Sequence, residues 1–250
     1  MGIKFRFNEF YAVLPAFKKG VIFAKNKIHT DMKEYLNITN ECNMELMKRY
    51  EDNHFDLAIV DPPYGIDMGN KINSVTGGVK HKANEWDKQT PSQEYWDELF
   101  RVSKNQIIWG GNYFMSKIKR DTACWIFWDK NNGESLFADG EMAWTSFSTP
   151  VRIAKIHWCG SAAKWETGQN KIHPTQKPRA LYQWILTKYA KKNYKILDTN
   201  LGSGSIALAL DSVNKYEKMN LTLTACELDK EYFDKAVEVI ENETRQESLF

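Results

Sequence analysis

The sequence predicts an α/β protein, a mostly parallel sheet with helices on both faces, and three observations predict it. Short apolar runs recur at 55–60, 105–109, 124–128, 194–197 and 221–225, and helical patterns alternate with them at 91–103, 177–190, 205–216 and 229–242. Strands that alternate with helices of this length make crossover units and hence a parallel sheet. The first run, Phe55 to Val60, is almost continuously apolar, as a strand covered on both faces must be. Finally, the strand at 194–197 passes through an acid and a Gly-Ser-Gly turn straight into an apolar helix start, the join at which α/β sheets bind nucleotide-like ligands.

Residues 1–36 form a basic, aromatic N-terminal extension without a clear role, either an arm that contacts a partner or a simple extension. The Phe55–Val60 run ends in Asp61-Pro62-Pro63-Tyr64. This tetrapeptide falls where a strand stops and a loop begins, the edge at which open α/β sheets place their ligands. An acid, two rigid prolines and an aromatic ring there suit a flat base that carries an amino group; a proline-rich turn is the bland alternative. Residues 66–90 are rich in Gly, Asn and Lys, lack periodicity and read as a long loop; loops of that length inside compact domains are usually functional or mobile.

Between 151 and 179 stand six basic residues, Arg152, Lys155, Lys164, Lys171, Lys177 and Arg179, against the single acid Glu166, with Trp158 and Trp165 interleaved. Such a segment reads as a phosphate-contacting surface, with Arg152, Lys155, Lys164, Trp158 and Trp165 as the candidate contacts. A solvated hairpin is the alternative. From 227 to 247 the balance reverses to eight acids against three basic residues, so the net charge of +2 hides a polarity along the chain.

His173-Pro174-Thr175-Gln176-Lys177-Pro178 makes a stiff turn into a helix whose apolar positions Leu181, Trp184, Ile185 and Tyr189 keep helical spacing. After the strand at 194–197 come Asp198 and then Gly202-Ser203-Gly204-Ser205. Glycines let the backbone approach a ligand closely, and the following helix N-terminus offers unpaired N–H groups. The spacing is not that of the dinucleotide fingerprint. The strand at 221–225 then ends at Glu227, an acid placed to accept hydrogen bonds from ribose hydroxyls, with a solvated helix-flanking acid as the alternative.

Together these three blocks resemble the β-class of DNA amino-methyltransferases, whose members take their methyl group from S-adenosylmethionine and usually act on adenine N6. The resemblance covers roughly residues 37–242. It rests on the order of the motifs: Asp-Pro-Pro-Tyr first, then a recognition region at about 130–172, then His-Pro-Thr-Gln-Lys-Pro, then the Gly-Ser-Gly loop. Ile107-Ile-Trp-Gly-Gly-Asn112-Tyr-Phe and Trp125-Ile-Phe-Trp-Asp129-Lys130 are similar to segments of its small bacterial and phage members. The family's usual Asp-Pro-Phe is Asp198-Thr199-Asn200 here, so the acid is kept and its two neighbours differ.

The resemblance implies a Rossmann-like, seven-stranded methyltransferase sheet with one antiparallel strand, entered in circularly permuted order. It implies Asp61, Pro62, Pro63 and Tyr64 as the catalytic set. Asp61, Thr175, Gln176, Lys177, Pro178, Asp198, Gly202, Ser203, Gly204, Ser205 and Glu227 are implied for the cofactor; Glu41 is an outlying candidate, with an exposed acid as the preferred reading. DNA is the implied partner, and many relatives dimerise. Asp61 favours adenine over the alternative, cytosine N4, where members tend to carry Ser. A catalytically silent, DNA-binding or clamp-associated relative is the second alternative.

Composition agrees with one domain of 250 residues with a full core. The chain has no apolar run long enough for a membrane span, and Pro15, Lys18 and Lys19 interrupt the only stretch that could serve as a signal core. A cytoplasmic enzyme is expected. Cys42, Cys124, Cys159 and Cys226 form no Cys-x-x-Cys pair and read as buried reduced thiols; no metal site is expected. The tail 243–250 ends in Gln246-Glu247-Ser248-Leu249-Phe250. It resembles the peptide by which bacterial replication proteins dock onto the sliding clamp, and folding of Leu249 and Phe250 back onto the domain is the alternative.

Overall fold

The computed structural model describes residues 32–66, 87–133, 138–158, 172–173 and 175–245. Eight strands make one sheet in the order β1-β8-β7-β2-β3-β5-β4-β6. They are β1 (Leu36–Asn40), β2 (Leu57–Val60), β3 (Gln106–Trp109), β4 (Trp125–Asp129), β5 (Gly140–Thr145), β6 (Arg152–Lys155), β7 (Lys195–Asp198) and β8 (Thr222–Glu227). The helices are α1 (Asn43–Met47), α2 (Gln93–Val102), α3 (Met115–Ile118), α4 (Arg179–Tyr189), α5 (Ser205–Tyr216) and α6 (Lys230–Arg245).

The sheet is parallel from β1 through β3, and β5 alone runs against its neighbours, β3 on one side and β4 on the other. The α/β expectation and the single antiparallel strand are both met. Among the described residues the strand count is eight and not seven, because β6 pairs in parallel with the outer side of β4. Pairing there satisfies the row of N–H and C=O groups that a bare edge would leave open.

Strand side chains alternate between two cores, as the two-residue period requires. Leu57, Ile59, Ile107 and Trp109 face the cluster built with Leu181 and Ile185 of α4, Leu208 of α5 and Ile240 of α6. Ala58, Val60 and Ile108 face the cluster built with Leu46 of α1 and Trp96 and Leu99 of α2. Both faces are thus covered, which explains why β2, and β3 after Gln106, are apolar without alternation: all four residues of each are buried. Among the described residues no helix is long and apolar enough to cross a membrane.

Parallel pairing aligns the carboxyl ends of four neighbouring strands, and an acid lies at each. Glu41 follows β1, Glu227 ends β8, Asp198 ends β7 and Asp61 follows β2. This edge is where the sheet order turns back on the chain order, the usual ligand crevice of an open α/β sheet.

Candidate active site

At that edge the chain encloses a cavity of about 680 Å³. Asp61 and Pro63 line it from β2, Thr199 to Ser203 from the β7–α5 turn, Glu227 to Asp229 from β8, and Thr175 to Lys177 from the turn before α4. Glu41 to Met44 and Tyr95 close it on the side of α1 and α2.

Lys177 is the buried centre of the polar part. Its side chain is only 3% exposed, and its Nζ lies 2.5 Å from Asp61 Oδ2 and 3.1 Å from Glu141 Oε2. Glu141 in turn meets Lys130 at 2.8 Å through its other oxygen. The Tyr64 hydroxyl donates to Asp61 Oδ1 at 2.7 Å, and Lys177 also donates to that hydroxyl at 3.3 Å. Burial pushes the Asp61 carboxyl up, with Lys177 working against it. For Lys177, burial disfavours the ammonium, but Asp61 and Glu141 reverse this and raise its pKa. Burial likewise opposes the Glu141 carboxylate, yet Lys177 and Lys130 together hold it at about 2.

The Tyr64 ring stands on Gly110 and stacks on Tyr113, with centroids 5.1 Å apart and planes 19° from parallel. Gly110 has φ +66°, and a Cβ there would lie 2.3 Å from Tyr64 Cε1, so only glycine fits under the ring.

The turn after β7 is braced from within. Asp198 Oδ1 accepts the Asn200 N–H at 3.0 Å, and Thr199 shares a 2.7 Å hydrogen bond with Tyr95 of α2. Burial raises Asp198 to about 7, the Asn200 N–H opposing and the charges of Asp61 and Glu227 adding to it. Glu227 accepts the Gly202 N–H on one oxygen and the Asp229 N–H on the other, each at 2.9 Å. The Leu228 N–H also bonds this carboxylate, and of its roughly four lone-pair directions the three backbone N–H groups leave one for a ligand. Gly202 has φ +56°, and a Cβ there would come no closer than 3.8 Å to His173, so its face toward the cavity is open. In the turn before α4, Thr175 bonds the His173 ring at 3.1 Å and the Gln176 side chain accepts the Ile172 N–H at 3.2 Å. These bonds shape the turn that delivers Lys177.

Residues 144–238 match the model of a family described as DNA methylase, the segment that holds the Lys177 turn, the Gly202 loop and Glu227. Type II methyltransferase M.HpaI of Haemophilus parainfluenzae is 25% identical over 80% of this chain and 72% of its own length. Type II methyltransferase M2.MboI of Moraxella bovis is 23% identical over 89% of this chain and 96% of its own. The chain is thus similar to DNA methylases of the N6/N4 type. The crystal structure of the M1.HpyAVI–SAM complex superposes with a TM-score of 0.52 at 21% identity, covering 82% of this chain and 98% of that one. The cytosine-N4-specific PvuII DNA methyltransferase does so with 0.50 at 12%, over 86% and 93%. Both share the fold.

Of the residues expected from sequence, Asp61, Pro63, Thr175, Gln176, Lys177, Gly202, Ser203 and Glu227 line the cavity. Pro62, Tyr64, Pro178, Asp198, Gly204 and Ser205 are not among its lining residues. Pro178 caps α4, and Ser205 bonds Ser203 at the start of α5. Lys177, expected at the cofactor, lines the cavity with its ammonium on Asp61 and Glu141. Glu41 is turned to Arg49 and Thr39 and is not a free exposed acid.

The expected recognition surface is corrected in one residue. Trp158 is 7% exposed and packs in the core, so its ring is not offered to a partner. Arg152 and Lys155 sit on the edge strand β6, with Lys155 exposed. Lys164, Trp165, nearly all of the 66–90 loop, most of the 1–36 extension, Cys159 and the Gln246–Phe250 tail lie outside the described residues. Of the other cysteines Cys124 and Cys226 are buried, whereas Cys42 is exposed at the head of α1, where the chain leaves β1.

Sequence reasoning missed Glu141, Lys130, Tyr113, Tyr95 and Gly110. Glu141 carried no signal in one dimension, since an acid beside Gly140 reads as a strand-end surface residue. Tyr95 was hidden in the apolar periodicity of α2.

Proposed function

We propose that this protein transfers a methyl group from S-adenosylmethionine to the N6 amine of an adenine flipped out of DNA. The observation that carries the reading is the Asp61 carboxylate, fixed by Lys177 and Tyr64 on the wall of the cavity that Gly202, Ser203 and Glu227 also line.

The residues present fit the cofactor. The open face of Gly202 leaves room for the methionyl part against the backbone, and the remaining acceptor direction of Glu227 suits a ribose hydroxyl. S-adenosylmethionine supplies an electrophilic methyl on a sulfonium. The chain's task is to prepare the nitrogen. Adenine's exocyclic lone pair is delocalised into the ring, so attack requires the nitrogen to become tetrahedral. Asp61 and the Pro62 carbonyl each accept one N–H, which favours that geometry and stabilises the positive charge growing on nitrogen. Proline has no N–H to compete and keeps its carbonyl fixed. Asp61 and the Pro62 carbonyl would hold the amine while it takes the methyl, the sulfonium would leave as a thioether, and the amine would shed one proton to solvent. The stacked pair of Tyr64 and Tyr113 would offer the flipped base an aromatic surface, recovering part of the unstacking cost.

Asp61, in place of the serine usual for cytosine-N4 members, supports adenine as the base. The test is purified protein incubated with methyl-labelled S-adenosylmethionine and duplex DNA, followed by digestion to nucleosides. Label in N6-methyladenosine supports the reading; label in N4-methylcytidine moves it to the other base; no label overturns it.

A further inference from the structure

We propose that Glu141 is a positioning residue for methyl transfer, holding Lys177 on Asp61 and balancing its charge while the reacting nitrogen becomes positive. The inference rests on the reading of Asp61 above and extends it to a strand that no motif marks. Glu141 stands on β5, opposite Trp128 of β4. One carboxylate oxygen takes the Lys130 ammonium at 2.8 Å, and the other faces Lys177 at 3.1 Å and the Tyr64 hydroxyl at 3.5 Å. The order Lys130, Glu141, Lys177, Asp61 alternates in sign and sums to zero.

That balance matters for the chemistry. A buried ammonium 2.5 Å from the carboxylate that receives the amine would oppose the cation forming on that amine, because charges inside a protein are poorly screened. Glu141 cancels this charge. The bound substrate amine is neutral, so an uncancelled Lys177 disfavours the transition state and leaves the ground state almost untouched. Loss of Glu141 therefore falls on the chemical step and not on binding. Lys130 keeps Glu141 ionised and in place, and it supplies the lever for a charge test: removing Lys130 together with Glu141 restores the zero sum.

The experiment compares single-turnover methyl transfer by the wild type, Glu141→Gln and Lys130→Gln/Glu141→Gln at saturating S-adenosylmethionine and DNA. Binding of cofactor and duplex and thermal unfolding are measured alongside. Glu141→Gln is expected to slow transfer by about tenfold or more, with both dissociation constants within about twofold of wild type. The double variant is expected to be faster than Glu141→Gln. A wild-type rate in Glu141→Gln overturns the inference. So does a rate loss that only follows loss of cofactor binding or of the folded state, or a double variant no faster than the single one. A wild type that transfers no methyl group to DNA overturns the reading of Asp61 instead.

Discussion

Lys177 Nζ lies 2.5 Å from Asp61 Oδ2 although 116 residues separate them in the chain. Two motifs that look independent in the sequence, the strand-end tetrapeptide and the turn before α4, are therefore halves of one device. The turn brings a cation to an acid that burial alone would push toward its neutral form. Mutations in either half should act on the same step.

Asp198 makes stability depend on pH. Its carboxyl rises from an ordinary 3.8 to about 7, chiefly through burial. Between those values the folded state binds the proton that the unfolded state has released, so this group's contribution is full below about pH 4 and is lost as the pH rises through about 7. Asp198→Asn keeps an acceptor for the Asn200 N–H but cannot ionise. Its melting temperature should gain on that of the wild type as pH rises from about 4 to 7 and hold steady above. A difference that does not change with pH would refute the assignment.

Gly110→Ala should displace Tyr64. The new Cβ would sit 2.3 Å from the ring at φ +66°. We expect a stability loss of about 1 kcal/mol or more, visible in urea unfolding. Methyl transfer should drop while cofactor affinity stays close to wild type. Ring placement would be unimportant if transfer persisted at the wild-type rate.

Gly202→Val acts on the other half of the site. No neighbour blocks a Cβ, so the damage comes from a branched side chain at φ +56° intruding on the cofactor's space. Titration with S-adenosylmethionine should show weaker binding, and an unchanged dissociation constant would mean that the methionyl part lies elsewhere.

DNA binding is expected to draw on Arg152, Lys155 and Lys164. Alanine in place of any of these side chains that neutralises a phosphate should reduce the slope of log affinity against log salt by about one unit. Equal slopes for the wild type and the triple variant would leave these residues as ordinary surface charges.

The parts legible in the sequence were those whose signal is local. Helices α4, α5 and α6 and strands β2, β3, β7 and β8 show themselves through apolar periodicity, because each is packed on a core. The strands not anticipated carry mixed patterns. In β1, Leu36 is buried while Asn37 to Asn40 are not; β6 buries only Ala154. The first half of β5 is likewise open. Edge and half-exposed strands have no apolar run to betray them. The site divides in the same way. Asp61, Gly202 and Glu227 could be named because each follows or ends a recognisable strand. Glu141 and Lys130 could not, since their role exists only after β4 and β5 pair and the Lys177 turn folds over them.

Whether Asp61 prepares an amine of DNA for methylation is read most directly from the modified-base content of DNA from a methylation-free bacterial host that expresses the protein. Wild type should yield N6-methyladenine, and Asp61→Ala should yield none while its purified form still binds S-adenosylmethionine with little loss of affinity. The variant should fold, because Lys177 keeps Glu141 as a partner. DNA from Asp61→Ala cells as fully methylated as that from wild-type cells would show that the carboxylate has no part in the transfer.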